Sequence, residues 1–258
     1  MTNLHAEQLT IHRGKLCVAR DITFTLRPGT VYVVLGPNGA GKSSLVKTLF
    51  AELPYTGTIR FGDTLLRKGE HMVWRKRLGY MPQDSVVEAS LSALEVVLLG
   101  QMDELGMRVS DEQLARAVAM MDALGIAHLA QRDVLDLSGG QRQMAMFAQV
   151  MLREPRILLL DEPVSALDMH HQCVLLDQVR AHTREKQLIT LMILHDLNLA
   201  AQFADELILL ADGQIQAQGS PHDVLRRDMI ERLYRVKISL LYDDDGLPVI
   251  LPRRAHRA

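Results

Sequence analysis

Cysteine is scarce: 2 in 258 residues, Cys17 and Cys173, too far apart in sequence and without the spacing that makes a metal cluster. The opening MTNLHAEQLT carries no secretory apolar run, so a reducing, cytosolic setting is expected. Long hydrophobic runs are lacking too. A bilayer span needs roughly 20 apolar residues, and the run Ile157 to Leu160 ends at once in Asp161, so any membrane role is expected to be peripheral. Nor is there an excess of one charge: 29 basic residues stand against 31 acidic ones, a net charge of -2, which excludes a global pull toward nucleic acid or anionic lipid. No internal repeat or low-complexity tract occurs, which argues against two tandem units in one chain.

What is present is ordinary for a globular protein, with 48% hydrophobic and 23% charged residues and enough length for one domain with a sizeable core in two lobes. Leu4 to Ile11 and Ile22 to Leu26 alternate as strands do, and Pro28-Gly29 marks a turn. Val31 to Leu35 is a continuous aliphatic run of the kind buried on both faces of a parallel sheet. A helix is predicted from about Lys42 to Leu53. From roughly Ser90 to Leu152 the period becomes helical, with a Ser110/Gln113 capping box, an apolar face of Leu114, Val118 and Met121, and Gly125 as a stop. Ile157 to Leu160, Leu188 to Leu194 and Leu207 to Leu210 return to short buried runs separated by helical segments, as in a parallel α/β sheet. Ser239 to Tyr242 and Leu247 to Leu251 flank Asp245-Gly246 and predict a terminal hairpin, followed by a frayed RRAHRA tail.

Gly36 to Ser43 reads GPNGAGKS, a P-loop pattern between a buried strand and a helix. Its glycines let backbone N–H groups turn toward a phosphate, the helix N-terminus adds positive potential, Lys42 brings a mobile charge, and Ser43 offers a hydroxyl to Mg²⁺. A glycine-rich turn with an exposed lysine is the plain alternative. In ILLLDE, Asp161 and Glu162 close a buried strand at the edge where open α/β sheets bind ligands. Asp161 suits the Mg²⁺ shell and Glu162 suits positioning or deprotonating a water that attacks the γ-phosphate. Alternatively, both acids simply start a loop and cap a helix.

LSGGQ at Leu137 to Gln141, on the same chain and in the same order, resembles the signature motif of ATP-binding cassette proteins. Ser138, Gly139 and Gly140 open a helix able to hydrogen-bond an anion, and Ser138 with Gln141 also has capping-box spacing. Gln83 resembles the Q-loop, Ser165, Ala166, Leu167 and Asp168 the D-loop, and His195 the switch histidine. The resemblance covers essentially the whole chain and implies an α/β P-loop NTPase cassette: a RecA-like parallel sheet core, an N-terminal antiparallel β region and an inserted helical lobe. Its implied division is a core of 1–85 and 155–258, a lobe of 86–154 and a hairpin of 237–252 within one domain.

The resemblance also implies the site. ATP lies on Gly36, Pro37, Asn38, Gly39, Ala40, Gly41, Lys42, Ser43 and Ser44, and Ser43, Gln83 and Asp161 hold Mg²⁺. Glu162, His195 and Lys42 are catalytic. Ser138 to Gln141 reach the ATP of a second copy in trans. Many family members stack adenine on an early tyrosine; IHRG puts Arg13 there, where a guanidinium can stack or remain a solvated surface group. His170 and His171 read as a solvated helix start with no role.

The segments LHDLNLAAQFADELILLADGQIQAQGSPHDVL and LSGGQRQ resemble ATPases of bacterial importers for ferric siderophores, haem and vitamin B12, and the C-terminal hairpin also fits that group. The partners implied are a second ATPase subunit in a homodimer, integral membrane permease subunits and, indirectly, a substrate-binding protein, with no nucleic acid, at the cytoplasmic face of the inner membrane. The resemblance implies that a short permease helix docks in a groove between the two lobes involving Gln83 to about Glu104, with Val86, Val87 and Leu91 as contacts or, alternatively, packed inside the lobe. Competing classes are a cassette ATPase without a membrane partner and a small P-loop kinase; the latter leaves LSGGQ and SALD without a purpose.

Overall fold

The computed structural model describes residues 2–67, 69–83, 90–101 and 109–253. Two long strands, β1 (Leu4–Arg13) and β2 (Leu16–Leu26), form a bent antiparallel hairpin, and β3 (Thr30–Leu35) leads through the P-loop into α1 (Lys42–Leu49). Strands β4 (Tyr55–Phe61) and β5 (Thr64–Leu65) complete a four-stranded sheet of order β2-β1-β4-β5. After α2 (His71–Arg75) and β6 (Leu78–Met81) come three helices, α3 (Ala93–Leu98), α4 (Asp111–Ala123) and α5 (Gly139–Leu152). The chain then alternates through β7 (Ile157–Asp161), α6 (Met169–Glu185), β8 (Ile189–Ile193), α7 (Leu197–Phe203), β9 (Glu206–Ala211) and β10 (Gln214–Gly219). It closes with α8 (Pro221–Val224), α9 (Arg227–Tyr234), β11 (Ile238–Tyr242) and β12 (Pro248–Pro252).

The second sheet has six strands in the order β10-β9-β3-β8-β7-β6. All pairs are parallel except β9 with β10. Strands β7 and β8 are buried at every position, which is why their sequences are unbroken aliphatic runs. The polar β10 caps the edge, as suits a strand with one unpaired side. Period-2 alternation splits the apolar residues of this sheet between two cores. Tyr32, Val34, Leu159 and Leu191 face α1 and the antiparallel sheet, where they meet Leu4, Leu9, Ile22 and Leu26. Val33, Leu158, Leu160 and Met192 face the helices, with Val97, Phe147 and Leu175, and the C-terminal Ile230, Ile238 and Ile250.

Three expectations need correction. Helix α1 stops at Leu49 rather than Leu53, because Ala51 turns to φ 63 and the last carbonyls are taken elsewhere. Trp74 Nε1 donates to the Leu49 carbonyl at 2.8 Å, and Arg75 donates to those of Phe50 and Ala51 at 2.9 Å. In α4 the capping box forms, but the buried stripe is Gln113, Ala117 and Met121, while Leu114 and Val118 are exposed. The terminal strands pair, yet their loop is Asp243–Leu247: Gly246 N–H bonds to the Asp243 carbonyl and the Asp243 side chain accepts from Asp245 and Leu247. The turn therefore centres one residue earlier than Asp245-Gly246.

Candidate functional site

Strand register brings the chemistry to one edge. Ile193 lies opposite Val34 on one side and Asp161 on the other, so the segments leaving β3, β7 and β8 emerge side by side at the C-terminal edge of the sheet. There the P-loop, Asp161 with Glu162, and His195 meet.

Two glycines are sterically required in the P-loop. Gly36 has φ +147, and a Cβ there would lie 1.9 Å from the Leu210 carbonyl; Gly41 has φ +99, with the Val18 carbonyl 2.7 Å from a Cβ. Lys42 is buried, and its Nζ donates to the carbonyls of Gly36 at 2.7 Å and Pro37 at 3.0 Å. Loss of hydration lowers its pKa, and Glu162 and Asp161 oppose that shift. Ser43 Oγ donates to Asp161 Oδ1 at 3.1 Å. Burial raises the Asp161 carboxyl pKa, partly offset by the Ser43 bond. Ser43 and Asp161 together are hard oxygen donors converging from two elements, a set that fits Mg²⁺.

A cavity of about 390 Å³ runs along Asn38 to Ser44 and is bordered by Glu162, His195 and Arg13. Arg13 is exposed at its rim. Leu16, which is 66% exposed, and Val18 line the same rim; only the β1–β2 hairpin, which sequence reading left unresolved at this end, brings them beside the P-loop. Gly36 and Pro37 also border a neighbouring cavity of about 760 Å³ with Tyr234. Burial pushes the Tyr234 phenol up to about 12, opposed by a hydrogen bond from the Gly36 backbone. Nothing in the sequence near Tyr234 announces this contact.

Glu162 sits at φ 55, a left-handed conformation that costs a non-glycine residue about 1–3 kcal/mol. Its carboxylate is gripped on both oxygens: Gln83 Nε2 donates to Oε2 at 2.9 Å, and His195 Nε2 lies 2.5 Å from Oε1. Its carbonyl accepts from Gln143 Nε2 and Ser165 Oγ, both at 3.1 Å. The helix-capping alternative for Asp161 and Glu162 fails, since α6 is capped by Asp168, which accepts from the His171 N–H at 2.9 Å. His171, expected to have no role, also places Nδ1 2.9 Å from that carboxylate, and these bonds hold the Asp168 carboxyl below its usual range.

At the signature, Ser138 and Gln141 form the reciprocal capping box at the start of α5, each bond 3.2 Å long. Gly140 packs on the loop of Ser165 to Asp168, where a Cβ would sit 3.0 Å from the Ala166 carbonyl. Ser138, Gly139, Gly140 and Gln141 line neither of the two P-loop cavities. The sequence places Gln143 only as the end of LSGGQRQ and gives it no role; it lies three residues past Gly140 and hence on the same helix face. Of the docking candidates, Val86, Val87 and the neighbourhood of Glu104 lie outside the described residues. Leu91 is partly buried against the helical core.

The ABC transporter family profile matches residues 19–165. The hemin import ATP-binding protein HmuV of Burkholderia thailandensis is 41% identical over 275 residues, covering 96% of this chain and 99% of that protein. The ferric enterobactin transport ATP-binding protein FepC of Escherichia coli K12 is 35% identical over 256 residues, covering 98% and 94%. Among solved structures, a chain of an inward-facing ABC transporter assigned to the metal-chelate type superposes with a TM-score of 0.82 at 24% identity, over 98% of each chain. With the P-loop, the paired acids and the signature helix on one α/β scaffold, the chain belongs to the ABC transporter family, as one of its ATP-binding subunits.

Proposed function

We propose that two copies of this chain close head to tail around two ATP molecules and that hydrolysis drives import of a metal chelate of the haem or ferric-siderophore kind. The cargo class rests on what the relatives' names state they import. The observation that carries the catalytic reading is Glu162, held between Gln83 and His195 at the mouth of the P-loop cavity.

In this reading Lys42 exchanges the Gly36 and Pro37 carbonyls for β- and γ-phosphate oxygens, and Arg13 with Leu16 and Val18 receives the adenine. Ser43, Asp161 and Gln83 hold Mg²⁺, whose charge offsets that of the phosphates. His195 contacts the γ-phosphate, and Glu162 orients the attacking water and takes its proton. Each cavity draws nothing from Ser138 to Gln141 of its own chain, and the capped start of α5 is an anion-binding terminus. The second copy therefore supplies the missing donors, with Ser165 to Asp168 as the D-loop at the seam. ATP favours the closed pair because that state alone makes contacts to the γ-phosphate from both chains.

The core of 1–85 with 155–258 carries the P-loop, and the lobe of 86–154 carries the signature to the partner. Among the described residues no helix is long and apolar enough to cross a membrane. In this reading, as the relatives' import role suggests, the chain works on permease subunits at the cytoplasmic face of the inner membrane. A substrate-binding protein delivers the cargo on the other side. Glu162→Gln tests the core of this reading: ATP should still bind and a dimer accumulate, while turnover falls by about 10²–10³-fold or more. Turnover at the parent rate would overturn the assignment of Glu162. Uptake of labelled haem and ferric siderophore in cells lacking this chain tests the cargo; undiminished uptake of both would overturn it.

A further inference from the structure

Gln143 joins three segments that are remote in sequence. It lies in the first turns of α5 and reaches out of that helix with both ends of its amide. Nε2 donates to the Glu162 carbonyl at 3.1 Å, and Oε1 accepts from the Ala166 N–H at 3.1 Å. On the same face, Gly140 approaches the D-loop so closely that a Cβ would meet the Ala166 carbonyl at 3.0 Å and Leu167 Cδ2 at 3.2 Å. Helix start, D-loop and the backbone of the water-orienting carboxylate thus form one hydrogen-bonded block.

The chemistry of the bridge is specific. It needs a donor toward a carbonyl and an acceptor toward an N–H from one side chain, which the Gln143 amide provides. Lysine or arginine cannot accept from Ala166, glutamate cannot donate to Glu162, and leucine does neither. Glu162 also has a left-handed backbone, at φ 55, so what holds its carbonyl bears on where its carboxylate points.

We infer that Gln143 is a positioning residue that couples the two ATP sites of the pair, tying Glu162 of one site to the helix whose N-terminus meets the ATP of the other. This rests on the reading of Glu162 as the water-orienting group and of Ser138 to Gly140 as the contact in trans. An α-helix is stiff over one turn, so a shift at Gly139 and Gly140 on closure is felt at Gln143. From there the two amide bonds carry it to Glu162 and Ala166. Occupancy of one site thereby sets the geometry of the other, which is a coupling free energy between sites.

The test uses the full-length chain with Gln143→Leu and Gln143→Glu, the latter keeping the acceptor for Ala166 and losing the donor for Glu162. ATPase rate is measured against ATP concentration, alongside nucleotide affinity of the single chain and Tm. The parent should be cooperative, with a Hill coefficient approaching the number of sites, about 2. Both variants should fall toward about 1, with kcat reduced about tenfold and single-chain ATP affinity within about twofold of the parent. A merely structural role would lower Tm and the active fraction and leave the Hill coefficient unchanged. Unchanged cooperativity in either folded variant, or a non-cooperative parent, overturns the inference. Failure of the underlying reading shows separately, as normal turnover in Glu162→Gln.

Discussion

His195 Nε2 lies 2.5 Å from Glu162 Oε1, on the opposite side of the carboxylate from Gln83, whose Nε2 reaches Oε2 at 2.9 Å. The imidazole comes from the end of β8, Glu162 from the end of β7 and Gln83 from just beyond β6, so three neighbouring strands aim one carboxylate. A carboxylate with both oxygens engaged has little rotational freedom, which suits the water-orienting role proposed for Glu162.

His195→Ala should therefore cut turnover by about 10²-fold or more while ATP binding weakens far less, since one γ-phosphate contact is lost and those of the P-loop remain. Phosphate release against equilibrium ATP binding checks this. Turnover close to the parent's would mean that Gln83 alone suffices to orient Glu162.

Ser138→Arg removes the α5 cap and places a long cation at the seam. Losing the cap costs about 1 kcal/mol, about 2–4 °C in Tm for a chain of this size. The larger effect is expected on association: in a Glu162→Gln background, ATP should no longer produce a dimer by sedimentation, while the single chain binds ATP as before. A collapse of single-chain affinity would contradict a role in trans.

Asp161 carries a stability cost in exchange for its role. Burial raises its pKa above the unfolded value, so in the window from the ordinary carboxylate range up to that raised value the folded state binds more protons. Stability then falls as pH rises through the window and stays lower above it. Asp161→Asn should accordingly be inactive yet melt higher at neutral pH, with the difference shrinking on acidification below the window. Calorimetry at two pH values decides it, and a lower Tm at neutral pH would show that the Ser43 bond outweighs burial.

Much of the site was legible because its chemistry is local. The P-loop needs glycine at Gly36 and Gly41 for reasons of backbone space, lysine and serine directly after, and a buried strand before; all of this is contiguous. The same holds for Asp161 and Glu162 at the end of an aliphatic run and for Ser138 with Gln141 at a helix start. What misled was side-chain periodicity at exposed helix faces: Leu114 and Val118 read as core yet point to solvent, since a stripe of width near 100° can be rotated by one residue without breaking its period. The end of α1 failed for a related reason. Nothing in residues 50–53 stops a helix; Trp74 and Arg75, more than 20 positions on, claim its carbonyls.

By itself the sequence determined the parallel α/β core, the phosphate cradle, the paired acids and the order of motifs, because each depends on residues adjacent in the chain. Only the tertiary structure decided who touches whom. Strand register across β3, β8 and β7 set Glu162 against His195, the β1–β2 hairpin put Leu16 and Val18 on the cavity rim, and Gln143 was bonded to both Glu162 and Ala166. Those contacts join segments separated by tens of residues, and hydrogen bonds of about 3 Å between them follow from packing geometry that no local pattern encodes.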